Sequence, residues 1–169
     1  MQLYTSKQTR KIDNLAIKQK DISGYSLMQD AAEFSLNVLI QEWGKADQVV
    51  VFCSKGKNSG DGFLLASYAK EFGLDSLIVL SSPIKDISGV AKKAFEEAKE
   101  SGVSVVSSNS FNKIKITKNA VIVDALIGTG LKGEVRSSIK KAIQSINKLS
   151  LKNTVLSLEI PSGTCSDTG

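Results

Sequence analysis

Three glycine-bearing loops hold the residue types in this chain that can do chemistry. The first, SKGKNSGDG at residues 54–62, runs from an apolar segment into a helical pattern. Glycine there admits positive φ and close backbone approach, and free amides at a helix start attract anions. Gly56, Gly60 and Gly62, with Lys57, Asn58, Ser59 and Asp61, read either as a phosphate cradle or as a glycine-rich βα turn that merely turns tightly. The second loop, DALIGTGLKG at residues 124–133, follows an apolar run with an acid, three glycines and the Thr129 hydroxyl. Asp124 reads as a ligand contact at a sheet edge or as a loop-fixing carboxylate. The third, LEIPSGTCSDTG at residues 158–169, puts Glu159 at an expected strand end and Ser162 in a Pro-Ser-Gly turn. Glu159 is a candidate general base, and the alternative is an edge carboxylate facing water. If Asp124 and Glu159 close neighbouring strands, two carboxylates and a hydroxyl share a pocket suited to a hard cation.

The rest of the composition narrows the chemistry further. The 169 residues contain no histidine, which removes imidazole as base, nucleophile partner or metal ligand. Carboxylates, lysines, hydroxyls and backbone amides are left, and these suit proton transfer beside a phosphate or an oxygen-liganded ion. The two cysteines, Cys53 and Cys165, lie far apart in sequence and form neither a redox pair nor a metal cluster. The net charge of +5 is spread among acids and apolar positions, so a solvated surface accounts for most of it and nucleic acid is not the expected partner. No apolar run approaches the roughly 20 residues that cross a bilayer, and the start of the chain lacks a signal-type apolar core. The expectation is a cytoplasmic protein without a membrane partner.

The loops need a scaffold, and the hydrophobic periodicity supplies one. Residues 6–20 read as a polar helix and 25–43 as an amphipathic one. In the second, Leu27, Ala31, Phe34 and Val38 recur at helical spacing, widened by Met28, Ala32 and Leu39. A β-branched run, QVVVFC at 48–53, then reads as a buried strand. Helical patterns at 62–72, 91–101 and 134–149 alternate with strand patterns at 76–81, 103–107, 120–126 and 154–160. That alternation predicts one α/β domain: a three-layer, Rossmann-like fold with a central, mostly parallel sheet and helices on both faces. In such a sheet ligands bind beyond the carboxyl ends of the strands, where all three loops fall.

Taken together, the motifs KNSGDG, DALIGTGL and EIPSG followed by SDTG resemble the signature of the NAD(P)H-hydrate epimerases, the YjeF N-terminal domain family. The stretch YSLMQDAA is similar to the family's SLMENAG helix, so the resemblance covers nearly the whole chain. It departs from the family pattern at Lys57, Ser59, Asp30, Ala32 and Glu159, where the family usually carries Asn, Gly, Asn, Gly and Asp. The glutamate moves its carboxylate outward by one methylene.

The resemblance implies an isomerase that interconverts the R and S forms of NADHX and NADPHX. It implies that Asn58, Asp124 and Ser162 hold one potassium ion per subunit. It further implies that Lys57, Asn58, Ser59, Gly60 and Asp61 contact the substrate, with Gly128, Thr129, Gly130, Leu131, Lys132, Gly133 and Glu134. Glu159 would touch the substrate as well, and Glu159 and Asp124 are the candidate catalytic carboxylates. A homodimer and a fused or separate ADP-dependent dehydratase are the implied partners. Family domains usually continue past the third motif, so residues 1–169 are expected to lack a C-terminal part. The alternative is a non-catalytic nucleotide- or RNA-binding scaffold of the same fold. A sugar-nucleotide or kinase-like fragment is a third reading, without a phosphoryl-transfer motif to support it.

Overall fold

The computed structural model describes residues 4–19, 22–131 and 133–168. The apolar β-branched runs form five strands: β1 (Gln48–Cys53), β2 (Asp75–Leu80), β3 (Ser104–Ser107), β4 (Ala120–Ala125) and β5 (Thr154–Ser157). They pair in the order β3-β2-β1-β4-β5, and every pairing is parallel. β1 is buried along its whole length, as a central parallel strand covered on both faces must be.

Alternation along the strands sends two sets of side chains to opposite faces. Val49, Val51 and Cys53 of β1 join the core beneath α2 (Gly24–Trp43), α3 (Lys57–Glu71) and α4 (Gly89–Glu100). Val50 and Phe52 join the opposite core, closed by Ile139, Ala142 and Ile146 of α5 (Ser137–Leu149) and by Phe111. The result is the expected three-layer α/β fold with a fully parallel sheet. The polar α1 (Ser6–Gln19) buries only Ser6. No helix among the described residues is long and apolar enough to cross a membrane.

Several boundaries and faces differ from the sequence reading, each for a physical reason. α3 begins at Lys57, so residues 57–62 form helical turns and only the segment before them is loop. α5 begins at Ser137, because Glu134 and Val135 run into an extended Arg136 (φ −61, ψ 147). β5 ends at Ser157, which leaves Glu159 two residues past its strand. The face of α2 that packs inward is Tyr25, Met28, Ala32 and Leu39; Phe34 is 70% exposed and Ala31 is exposed too. The stripe at Leu27, Ala31, Phe34 and Val38 is therefore the outer edge of the apolar surface, not its centre. α2 is fixed at its start by Ser23, whose side chain accepts from the Ser26 amide at 2.9 Å.

Candidate functional site

The chain order reverses direction across the sheet between β1 and β4, and a cleft of about 600 Å³ opens above their carboxyl ends. The β1–α3 turn supplies Gly56, Lys57 and Asn58, and the loop after β4 supplies Gly128, Thr129, Gly130 and Leu131. Glu159 closes one side. The structure thus brings all three sequence loops to one place.

Asp124, the penultimate residue of β4, is 4% exposed and stands two residues before the cleft-lining Leu126. Its carboxylate ties the second loop to the third. Oδ1 accepts from Ser162 Oγ at 2.6 Å and from the Leu126 amide at 3.3 Å, while Oδ2 accepts from the Ser162 amide at 2.7 Å. Ser162 Oγ in turn accepts from the Ile127 amide at 2.9 Å. These bonds anchor Leu126 and Ile127, which line the cleft, to Asp124 and to the turn that carries Ser162. The turn that delivers Ser162 is closed by the Thr164 amide donating to Pro161 O at 3.1 Å, and it needs glycine next, since Gly163 has φ +99.

Asn58 is 5% exposed, and neither its Nδ2 nor its Oδ1 has a hydrogen-bond partner. A buried unpaired amide is costly, which marks the position as one that needs something in the cleft to complete it. Nothing caps α3 through a side chain, and its first residues, Lys57 and Asn58, line the cleft.

Glu159 is exposed, and its Oε2 accepts from the Thr129 amide at 2.6 Å. Gly128 makes room for this: a Cβ there would sit 2.0 Å from Glu159 Oε2. Asp61 stands one turn into α3, where burial first, then the charges of Glu159 and Asp13, raise its pKa to about 7; Lys57 pulls the other way. An exposed carboxylate therefore lies within electrostatic reach of a half-buried one whose proton is held near neutrality.

Two of the three first-loop glycines are required by packing. None of Gly56, Gly60 and Gly62 has positive φ. A Cβ on Gly60 would lie 2.4 Å from Met28 Cε, and one on Gly62 would lie 2.5 Å from the Ala125 Cβ. These two let α3 pack against α2 and against the sheet; only Gly56 faces open space. Ser59 is fully buried, accepting from the Ser54 amide and donating to Ala125 O, both at 2.7 Å. Its hydroxyl braces α3 between β1 and β4. Gly133 and Glu134 are exposed beyond the cleft, and Lys132 lies outside the described residues.

Four charged lining residues escaped the sequence reading: Arg10 and Asp13 of α1, Lys55, and Arg136 at the start of α5. Arg10 bonds Ser6 O and Ser6 Oγ at 3.2 Å each, and Ser6 Oγ donates to Asp167 of the SDTG motif at 3.2 Å. The polar helix and the third motif thus hold one another. The only available signal was polarity without an apolar face, which is also the signature of a solvated helix.

Comparison with known proteins agrees with this fold. The family described as "YjeF-related protein N-terminus" matches residues 24–169. A Coxiella burnetii protein named bifunctional NAD(P)H-hydrate repair enzyme Nnr is 36% identical over 99% of this chain, which spans 33% of that relative's length. An Elusimicrobium minutum protein named NAD(P)H-hydrate epimerase is 31% identical, covering 100% of this chain and 79% of its own. A crystal structure of a yeast protein superposes with a TM-score of 0.78 at 22% identity, over 96% of this chain and 71% of that one. With its fold, its three loops and these relatives in agreement, the chain belongs to the family of YjeF-related protein N-termini.

Proposed function

We propose that this chain is an NAD(P)H-hydrate epimerase that interconverts the R and S forms of NADHX and NADPHX. The observation that carries the reading is the Glu159 carboxylate held at 2.6 Å on the Thr129 amide, in a cleft whose second and third loops the Asp124–Ser162 pair ties together. Relatives named for this activity support it. The hydrated carbon of the nicotinamide ring carries a hydroxyl and the ring nitrogen. Its configuration inverts either by ring opening or by loss of the hydroxyl and re-addition from the other face. Both routes need a base or acid at that hydroxyl, which is the role assigned to Glu159, with Asp61 within electrostatic reach as a proton reservoir. The uncapped start of α3 takes a phosphate of the dinucleotide.

The residues present fit a potassium ion. Asn58 offers a buried amide oxygen without a partner, Asp124 and Ser162 would add a carboxylate and a hydroxyl, and a hard cation takes such oxygens. When bound, the ion would supply positive charge beneath the substrate. Asp124 is the one formally charged member of that set and is assigned to the ion and the loop knot, while Glu159 faces the substrate. We also propose that the chain forms a homodimer, with the outer α2 stripe at Phe34 as the surface a second copy covers. An ADP-dependent dehydratase, fused or separate, is proposed as its functional partner.

The test is epimerisation of purified S-NADHX and R-NADHX followed by NMR or chiral chromatography against the spontaneous rate. Catalysis above buffer is expected. A rate equal to buffer with the dinucleotide still bound would replace this reading with that of a binding module.

A further inference from the structure

A second cleft, about 530 Å³, opens beside the first over the carboxyl ends of β1, β2 and β3. The two share Ser54, Lys55, Arg136 and Ile139, so they form one groove with a cationic seam. We propose that this second cleft binds the adenosine half of the dinucleotide, with the pyrophosphate lying across the seam on Lys55 and Arg136. The inference rests on the epimerase reading, because only a two-nucleotide ligand needs both clefts.

Four observations support it. Lys55 and Arg136 are the basic side chains common to both clefts, and both adjoin helix starts: α3 and α5 each begin without a side-chain cap. Two free helix N-termini and two cations facing one seam match a doubly charged pyrophosphate. The second cleft itself is hydroxyl-rich, lined by Ser81, Ser82, Ser107 and Ser108. Ser82 Oγ is shielded from water and has no hydrogen-bond partner, so it stands ready for a ribose or base edge. Ile84 projects at the mouth with 56% of its surface exposed, an apolar platform for a flat base.

The walls are held in place. The Ser81 amide and hydroxyl both donate to Cys53 O, at 2.9 and 3.0 Å, and the Ser108 amide donates to Leu80 O at 2.9 Å. Asp86, 3.9 Å from Lys55, offers an acceptor for a ribose hydroxyl. No carboxylate directly follows β2; Ser81 and Ser82 stand there instead.

Calorimetry with ADP-ribose, which has the adenosine and pyrophosphate but no nicotinamide, tests the assignment. The parent should bind it. Ser82→Trp, filling the cleft, and the Lys55→Gln, Arg136→Gln double variant should each weaken binding by about tenfold or more. Ser108→Tyr on the opposite wall gives the same readout should Ser82→Trp fail to fold. Nicotinamide mononucleotide, which reaches only the first cleft, should bind Ser82→Trp within about twofold of the parent. Folded cleft-filling variants that bind ADP-ribose as tightly as the parent would overturn the proposal, and so would a parent that does not bind ADP-ribose. Should the parent bind ADP-ribose and the variants lose it without any epimerisation of NADHX by the parent, the cleft assignment stands and the epimerase reading falls.

Discussion

Gly62→Ala and Gly60→Ala place the same methyl one half-turn apart on α3, yet the structure gives them different outcomes. At Gly62 the new Cβ would lie 2.5 Å from Ala125 Cβ, 3.0 Å from Cys53 Sγ and 3.1 Å from Val51 Cγ1. Carbon atoms rest about 3.5–4.0 Å apart, so α3 must lift from the sheet by about 1 Å. The near neighbours sit on β1 and β4 and are fully buried, so they have nowhere to go. Overpacking of this kind costs about 1–3 kcal/mol, and the helix-propensity gain of alanine over glycine returns about 1 kcal/mol. A net loss of about 1 kcal/mol in a domain of this size lowers Tm by about 2–4 °C. At Gly60 the near atoms are Met28 Cε and Sδ, at 2.4 and 2.5 Å, the far end of a flexible side chain that can swing aside. Gly60→Ala should stay within about 1 kcal/mol of the parent. The α3 shift also moves Asn58 relative to Asp124, and a displacement of about 1 Å can cost on the order of a hundredfold in rate. Calorimetric melting with the epimerisation assay reads both effects. Combining Gly62→Ala with Ala125→Gly should recover at least about 1 kcal/mol in a double-mutant cycle. Equal Tm for the two single variants, or no coupling to Ala125, would refute the packing argument.

Glu159→Gln keeps the bond from the Thr129 amide but removes proton transfer, so kcat should fall by about a hundredfold to ten-thousandfold with KM little changed; parental kcat would shift the role to Asp61. Glu159→Asp draws the carboxylate back from Thr129 and should lower activity, and a gain would show that the loop closes around the shorter acid. Asp124→Ala leaves Ser162 and Leu126 without their shared acceptor and should abolish any potassium dependence of Tm and rate; an unchanged potassium response would remove Asp124 from the ion's ligands. Asp61 is an acid whose folded pKa, about 7, lies above its ordinary 3.8, so the folded state holds the extra proton between those values. Its charge costs stability as pH rises through that window and costs nothing below it. Asp61→Asn should therefore raise Tm above pH 7 and lose that advantage near pH 4, and a gap that does not change with pH would contradict the burial of Asp61.

The α/β class, the five strands and the clustering of three loops at one sheet edge were legible in the sequence. A buried parallel strand such as QVVVFC leaves a short β-branched run, and the glycine-rich and Pro-Ser-Gly segments interrupt the pattern where the chain must turn. Asp124 and Ser162 were legible as well, since a carboxylate and a hydroxyl stand out at the ends of apolar runs. What tertiary packing alone decided was the partner of each group. A sequence cannot tell a glycine that admits a phosphate from one that admits a neighbouring helix, because both require only the missing Cβ; the atoms that would meet that Cβ, Met28 and Ala125, lie 32 and 63 residues away. Nor can periodicity weigh Phe34 against Met28, since both lie on one broad apolar arc and only the position of α3 and α4 selects the buried side. Lys55 and Arg136 belong to one seam for the same reason: they are 81 residues apart, and the reversal of chain direction between β1 and β4 is what brings the starts of α3 and α5 together.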